Sequence, residues 1–122
     1  MKLKTPLRYP GGKSRAVPKL LQWLPSREIT EYREPFLGGG SMAIEMTRRL
    51  PEEIPIWVND LYEPLYCFWK MLQVSGNKLS KELTELKSRY PDRGSAKGLF
   101  VEAKEYLEKK PKECDPFHRA VA

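Results

Sequence analysis

The sequence has few of the residues on which metal sites and disulfide scaffolds depend. Among its 122 residues there are two cysteines and one histidine, and the spacing of the cysteines fits neither a zinc motif nor a disulfide framework. We therefore predict no metal site and interpret Cys67 and Cys114 as ordinary thiols in a reducing cytoplasm. The helical pattern around His118 offers no acid–base partner, so this side chain is expected at the surface.

Long apolar runs are also missing. No run approaches the roughly 20 residues that a membrane-spanning helix needs, and no apolar segment follows the basic residues at the amino terminus, as it would in a secretory signal. Hydrophobic residues make up 40% and charged residues 31% of the chain, which is typical of a folded globular domain. With no repeat, low-complexity tract or evident linker, the sequence predicts one modest core in a cytoplasmic protein without a membrane partner.

Positive charge is concentrated at the start of the chain. The net charge is +6, and residues 1–33 contain eight basic and two acidic side chains, whereas residues 34–60 contain two basic and five acidic ones. A basic segment beside an acidic one suits a phosphate backbone on one side of a site and a cationic ligand on the other. An ordinary solvated surface explains the same distribution equally well.

Two glycine-rich segments stand out near the start. The first is Tyr9-Pro10-Gly11-Gly12-Lys13-Ser14, and the second, Glu34-Pro35-Phe36-Leu37-Gly38-Gly39-Gly40-Ser41, is followed by an apolar run that stops at Asp60. Glycines allow a backbone to approach a ligand closely, helix N-termini present free N–H groups, and a carboxylate at a strand end accepts hydrogen bonds from ribose hydroxyls. Together they predict a site for a nucleotide-like cofactor.

The hydrophobic pattern indicates alternating strands and helices, followed by helices alone. We predict a helix capped by Ser14 that buries Val17, Leu20, Leu21 and Leu24, strands at residues 29–34 and 54–58, and a helix from Ser41 to Leu50. Helical stripes follow at residues 65–72, 79–90 and 95–110, with a break at 75–77, and are expected to be mostly core. Asp115 and Pro116 are typical of an N-cap and first helical residue. The strand, turn, helix and strand of the first half predict a βαβ unit.

These segments resemble the Dam-type (class alpha) adenine-specific DNA N6-methyltransferases. The resemblance is carried, in the order of that family, by Pro6 to Lys13, by Glu34 to Ser41, by Val58-Asn59-Asp60 and, more weakly, by Asp115 to Val121. It implies an α/β, Rossmann-like S-adenosylmethionine-dependent methyltransferase fold, here truncated and with several helices after the second strand. It also implies methyl transfer from S-adenosylmethionine to adenine N6 in double-stranded DNA, as in restriction–modification.

The resemblance assigns roles to residues of this chain. Lys13 is expected to hold the methionine end of the cofactor, Phe36 and the glycine backbone to approach it, Asp60 to bind the ribose and Arg8 to contact DNA. The implied cofactor-binding residues are Tyr9, Gly11, Gly12, Lys13, Glu34, Pro35, Phe36, Gly38, Gly40, Ser41 and Asp60. Plain alternatives exist for several of them: a tight turn for the glycines, an exposed side chain for Lys13 and a helix N-cap for Asp60.

The Asp-Pro-Pro-Tyr motif that binds the target adenine in this family is absent from the sequence. Asp115-Pro116-Phe117 is no substitute, because the polar, proline-containing segment before it cannot be a buried strand. We therefore interpret residues 1–122 as the amino-terminal part of the catalytic domain, with a cofactor half-site at 6–61 and a helical part at 62–122, and without catalytic residues or a target-recognition region. The isolated chain is expected to be inactive and to self-associate, and its expected partners include a second polypeptide that carries the rest of the domain.

Two other functions were weighed. Gly12-Lys13-Ser14 has the ending of a phosphate-binding Walker A loop, but that loop needs a glycine where Leu7 stands and a buried strand before it. The second is a noncatalytic nucleic-acid-binding module, or a remnant of such an enzyme, because Tyr9 and Trp23 lie among basic residues. DNA binding that depends on salt concentration and is unaffected by S-adenosylmethionine would favour this second function.

Overall fold

A computed structural model describes residues 4–110 and 115–122, so Cys114 lies outside the described residues. The chain divides into two compact units, residues 1–61 and 62–122. The first unit contains both strands of the described part of the chain, and the second unit consists of helices there. The predicted α/β class is therefore confirmed.

The first unit begins with a loop and a short, interrupted helical segment. Helix α1, Val17–Leu20, lies between 3₁₀ turns at Lys13–Arg15 and Leu21–Trp23. The prediction of one regular helix capped by Ser14 was wrong, because Ser14 lies inside the first 3₁₀ turn and its hydroxyl pairs with that of Ser41. The predicted apolar face is broken as well: Val17 is buried, whereas Leu20 is exposed.

A βαβ unit follows, as the sequence predicts. Strand β1, Tyr32–Glu34, leads through a turn into helix α2, Ser41–Arg49, and then to strand β2, Ile56–Val58. The strands are parallel neighbours, with Tyr32 opposite Ile56 and Glu34 opposite Val58. Both strands are shorter than predicted. The proline at position 55 has no N–H to donate, and its carbonyl accepts from Tyr32 N at 3.0 Å just before β2 begins.

The core of this unit lies between the sheet and its helices. Val17, Met42 and Met46 are its buried members, and Met42 and Met46 share one face of α2, as helical periodicity requires. Partly buried side chains pack around them, namely Leu21, Leu24, Ile29, Tyr32, Leu50 and Ile56. This core fixes one face of β1 against α2 and thereby sets the position of the turn that joins them.

The second unit is helical. Helix α3, Glu63–Arg89, is interrupted at Ser75, whose φ of −146° is not helical, so the predicted break at residues 75–77 is confirmed. Helix α4, Arg93–Glu108, is capped by the Asp92 side chain, which accepts from Ser95 N. Helix α5, Pro116–Val121, is capped by Asp115 as predicted.

Helix α5 packs against α3 on a small apolar cluster. Cys67, Leu79 and Ala120 are its buried members, with Phe68, Met71, Phe117 and Val121 around them. The expectation that the predicted helical stripes are core was wrong for Leu72, Leu83 and Phe100, which are exposed. The sequence periodicity identified one face of each helix, but helix α4 has no buried residue at all, so its apolar face has too little covering structure within this unit.

Candidate cofactor site

The turn between β1 and α2, residues 35–40, is held against the end of the sheet. Asn59 N donates to the carbonyl of Glu34 at 3.0 Å, and Leu37 N donates to the carbonyl of Asn59 at 2.9 Å. Gly38 and Gly40 have φ values of +54° and +69°, a left-handed conformation that costs residues with a side chain about 1–2 kcal/mol. The glycines are thus required by the backbone path into α2.

Asp60 stabilises this turn. Its Oδ2 atom accepts a hydrogen bond from Gly38 N at 2.8 Å, which joins the end of the second strand to the middle of the turn. Helix α3 is preceded by Tyr62 as its N-cap residue, so the alternative role of Asp60 as a helix N-cap is wrong. Its carboxylate faces the glycines.

The amino-terminal loop, residues 5–14, packs against the same turn. The Thr5 hydroxyl donates to the carbonyl of Gly39, and a Cβ atom built on Gly38 or Gly39 would approach the Tyr9 side chain to 3.2 Å. The loop reverses at Gly11, with φ of +73°, and Gly12 N donates to the carbonyl of Tyr9 at 2.9 Å. Because Gly38 and Gly39 have no side chains, the amino-terminal loop can pack this closely against the turn.

Two polar contacts join the end of this loop to the turn. The hydroxyls of Ser14 and Ser41 lie 2.8 Å apart, which explains why Ser14 is not a helix cap. The Lys13 ammonium reaches to 3.5 Å from the carbonyl of Phe36. Lys13 is exposed, as the alternative interpretation predicted, but its ammonium is directed toward the turn.

Glu34 is the buried charged group of this region. It is 9% exposed, its Oε2 atom accepts from the Tyr32 hydroxyl at 3.0 Å, and it also accepts from the backbone N–H of Ala43 in the first turn of α2. Burial raises the pKa of the Glu34 carboxyl, while the Tyr32 hydroxyl, the charge of Lys13 and the Ala43 N–H oppose that rise. Burial and the neighbouring carboxylate raise the pKa of Tyr32 in turn, so its phenol stays protonated and continues to donate.

These contacts surround an open cavity of about 240 Å³. The walls come from the amino-terminal loop, the turn and the end of β2: the lining residues are Tyr9, Gly11, Gly12, Lys13, Glu34, Phe36, Leu37, Gly38, Gly39, Gly40, Ser41 and Asp60. The aromatic ring of Phe36 is 74% exposed. The cavity therefore combines an accessible aromatic surface, a cation, two carboxylates and a glycine-rich backbone.

Almost every sequence-predicted cofactor residue lies at this cavity. Pro35 belongs to the turn without lining the cavity, and Arg8 is exposed beside Tyr9, also outside the lining. Four participants were missed: Thr5, Tyr32, Leu37 and Gly39. Tyr32 and Glu34 lie two positions apart in a predicted strand, and this spacing could have identified Tyr32. Thr5 contacts Gly39 across 34 positions, a separation that leaves no local pattern in the sequence.

The second unit contains a polar cluster that sequence reasoning also missed. Arg119 is 4% exposed and donates to Glu63 Oε2 at 2.6 Å and to the carbonyls of Lys109 and Leu107. The expectation that His118 has no acid–base partner was wrong: its Nδ1 atom lies 2.9 Å from Asp115 Oδ2, because both sit on the first turn of α5. His118 is nonetheless exposed, as predicted.

Burial and the Glu63 carboxylate raise the pKa of the Cys67 thiol to about 11, so this thiol is protonated and unreactive at neutral pH.

In the described ranges 4–110 and 115–122, no group of three or more potential metal-ligating side chains comes together. Over those same ranges, helices that are both long and apolar enough to cross a bilayer do not occur.

Comparison with known proteins relates the chain to DNA-modifying enzymes. It is 25% identical over 127 residues to the Type II methyltransferase M.MjaIII of Methanocaldococcus jannaschii; the match includes 99% of this chain and 44% of that protein. The chain thus spans less than half the length of this curated relative. The sequence model of the D12 class N6 adenine-specific DNA methyltransferases matches residues 9–122, which include the whole cavity lining, most of the first unit and the whole second unit. The chain belongs to the D12 class N6 adenine-specific DNA methyltransferase family.

Proposed function

We propose that this chain forms the S-adenosylmethionine half-site of an adenine-specific DNA methyltransferase with a Rossmann-like catalytic domain. The observation that carries the proposal is the convergence of three separate sequence segments on one cavity. Membership of the methyltransferase family indicates the class of reaction. The residues that line the cavity support S-adenosylmethionine as the ligand.

The residues present suit this cofactor chemically. S-adenosylmethionine carries a sulfonium and an ammonium, a carboxylate, a ribose and an adenine. Glu34 offers a buried negative charge for a cationic group, Lys13 a cation for the carboxylate, and Asp60 acceptor oxygens for ribose hydroxyls. Gly11 has open space where a side chain would stand, and Phe36 provides an exposed ring against which a base can pack.

The size of the cavity matches part of the cofactor. Pockets that enclose a drug-sized ligand measure roughly 300–1,000 Å³, and this one is about 240 Å³. We infer that residues 6–61 contact one side of the cofactor and that further structure covers the other. The parallel β1–β2 pair with its α2 crossover supports a Rossmann-like domain, in which such a site lies at the carboxyl ends of the strands.

The isolated 122-residue chain is proposed to bind cofactor without catalysing methyl transfer. When bound, S-adenosylmethionine supplies the electrophilic methyl group. The residues of this chain bind and orient the cofactor, whereas the Asp-Pro-Pro-Tyr motif that positions adenine is not present in the sequence. Activity on double-stranded DNA then requires the remaining strands of the catalytic domain.

The test is binding and turnover measured on the same preparation. We expect saturable binding of S-adenosylmethionine by calorimetry and no transfer of labelled methyl groups to unmethylated duplex DNA. Transfer by the pure chain would contradict the proposed inactivity, and a folded sample that does not bind would contradict the half-site.

A noncatalytic nucleic-acid module is the second candidate function. It is favoured by exposed basic side chains in the first 33 residues, including Arg8, Arg15, Lys19 and Arg27, which suit contacts to phosphates. DNA binding that weakens steeply with salt and is unchanged by S-adenosylmethionine would favour this module. A DNA affinity that responds to cofactor favours the methyltransferase half-site.

A further inference from the structure

Tyr32 and Glu34 lie on the same face of β1, because side chains two positions apart in a strand point the same way. That face is covered by α2: Tyr32 packs on the core around Met42 and Met46, and Glu34 reaches the first turn of α2. Arg33, between them, is exposed and pairs with Glu31. The strand thus brings a phenol next to a carboxylate that lines the cavity.

We propose that Tyr32 is a positioning residue of the cofactor site, whose hydroxyl holds the Glu34 carboxylate directed at the cationic part of the ligand. This inference rests on the proposed function. Tyr32 does not line the cavity, whereas Glu34 does, so Tyr32 acts through Glu34.

The contacts of Glu34 give the physical reason. Glu34 is a buried residue with 9% of its surface exposed, and burial favours the neutral form of its carboxyl group. The groups that oppose protonation are the Tyr32 hydroxyl on the same strand, the Lys13 ammonium from the amino-terminal loop and the Ala43 N–H of α2. Of these, the Tyr32 hydroxyl is a side-chain donor that a single conservative substitution removes.

The Tyr32 hydroxyl also fixes the orientation of the carboxylate. It donates to the Oε2 atom at 3.0 Å, which restrains rotation of the carboxyl group about its last bond. A neutral or rotated Glu34 would lose its attraction for a sulfonium or ammonium. Tyr32 therefore affects the binding of a cation without touching it.

The test compares Tyr32→Phe with the wild type, and uses Tyr66→Phe as the matched control because Tyr66 is an exposed tyrosine of helix α3. Phenylalanine keeps the ring that packs in the core, so both variants are expected to fold. The first readout needs no ligand: carbon-13 NMR of the side-chain carboxyl of Glu34 across a pH titration. We expect Tyr32→Phe to move the Glu34 titration to higher pH and Tyr66→Phe to leave it unchanged.

The second readout is the affinity for S-adenosylmethionine as a function of pH. For Tyr32→Phe we expect a loss of roughly tenfold near the Glu34 titration, which is the size typical of one hydrogen bond to a charged group, and a smaller loss well above it. In a Glu34→Gln background the group no longer ionises, so adding Tyr32→Phe should leave the pH profile unchanged.

Two results would overturn the proposal. One is a Glu34 titration that is identical in the wild type and Tyr32→Phe; the other is a loss of affinity that is the same at all pH values and persists in the Glu34→Gln background. A folded wild type that does not bind S-adenosylmethionine contradicts the proposed function instead, and the carboxyl titration then still decides whether Tyr32 controls Glu34.

Discussion

Replacement of Asp60 separates the structural role of this carboxylate from its proposed role in binding. Asp60 Oδ2 accepts from Gly38 N at 2.8 Å, and a hydrogen bond to a charged group contributes about 1.5–3 kcal/mol. Because Asp60 is only half-buried, water can partly replace its carboxylate, and we expect Asp60→Ala to lower the free energy of unfolding by about 1–2 kcal/mol. Asp60→Asn keeps an acceptor oxygen and is expected to lower it by roughly 0.5–1 kcal/mol, because a neutral hydrogen bond is weaker than one to a charged group.

The assay is thermal unfolding of the wild type and both variants, followed by near-ultraviolet circular dichroism. A loss of 1 kcal/mol lowers Tm by roughly 4–8 °C in a domain of 60–100 residues, so the alanine and asparagine variants should be distinguishable. Asp92→Ala is the matched control, because Asp92 caps α4 in the second unit and loses a comparable bond. Equal stability of all Asp60 variants and the wild type would refute the account of the turn.

The remaining predictions concern stability elsewhere. Burial raises the pKa of Glu34, so the wild type and Glu34→Gln should be equally stable at pH values below the ordinary pKa of a glutamate. As pH rises through the folded-state pKa of Glu34, the wild type should lose stability relative to the variant. Urea unfolding at pH values on both sides checks this, and a relative gain in stability by the wild type contradicts it. Gly38→Ala forces a left-handed residue against the Tyr9 ring and should cost at least about 1–2 kcal/mol by denaturant unfolding, whereas Gly98→Ala, in an open helical position, should be neutral or stabilising. Arg119→Ala removes a buried guanidinium that donates to Glu63 and to two carbonyls. It should lower the stability of the second unit, measured by hydrogen exchange, by about 2–4 kcal/mol. A loss of only roughly 0–1 kcal/mol, the size expected for an exposed ion pair, would contradict this.

Local patterns predicted the parts of the fold that depend on neighbouring residues. The glycine turn, the start of α2 at Ser41, the interruption near Ser75 and the cap at Asp115 all follow from backbone preferences of the residues themselves. These features need no information about distant segments, which is why the sequence was sufficient.

Features that depend on tertiary contacts were predicted less well. Phe100 is exposed because the described residues of the second unit give α4 little cover. Arg119 is buried where carbonyls from the end of α4 accept from it. In the candidate site, the bond from Thr5 to the turn joins residues 34 positions apart. Periodicity identifies an apolar face or a polar side chain but does not say what covers it.

The cavity residues themselves were predicted mainly through resemblance to a family. Glycine segments and a strand-end carboxylate indicated a nucleotide-like ligand, and the methyltransferase motifs then assigned individual residues. The contacts of Tyr32 fall outside those motifs, so its relation to Glu34 emerged only from the three-dimensional structure.

Calorimetric titration with S-adenosylmethionine, with Asp60→Asn as the comparison, tests the central claim most directly. Asparagine is chosen because it retains an acceptor for Gly38 N, so a loss of affinity is not explained by a collapsed turn. The account predicts saturable, one-site binding by the wild type and clearly weaker binding by a folded Asp60→Asn variant. A folded wild-type chain that takes up no S-adenosylmethionine would contradict the claim that residues 6–61 form a cofactor half-site.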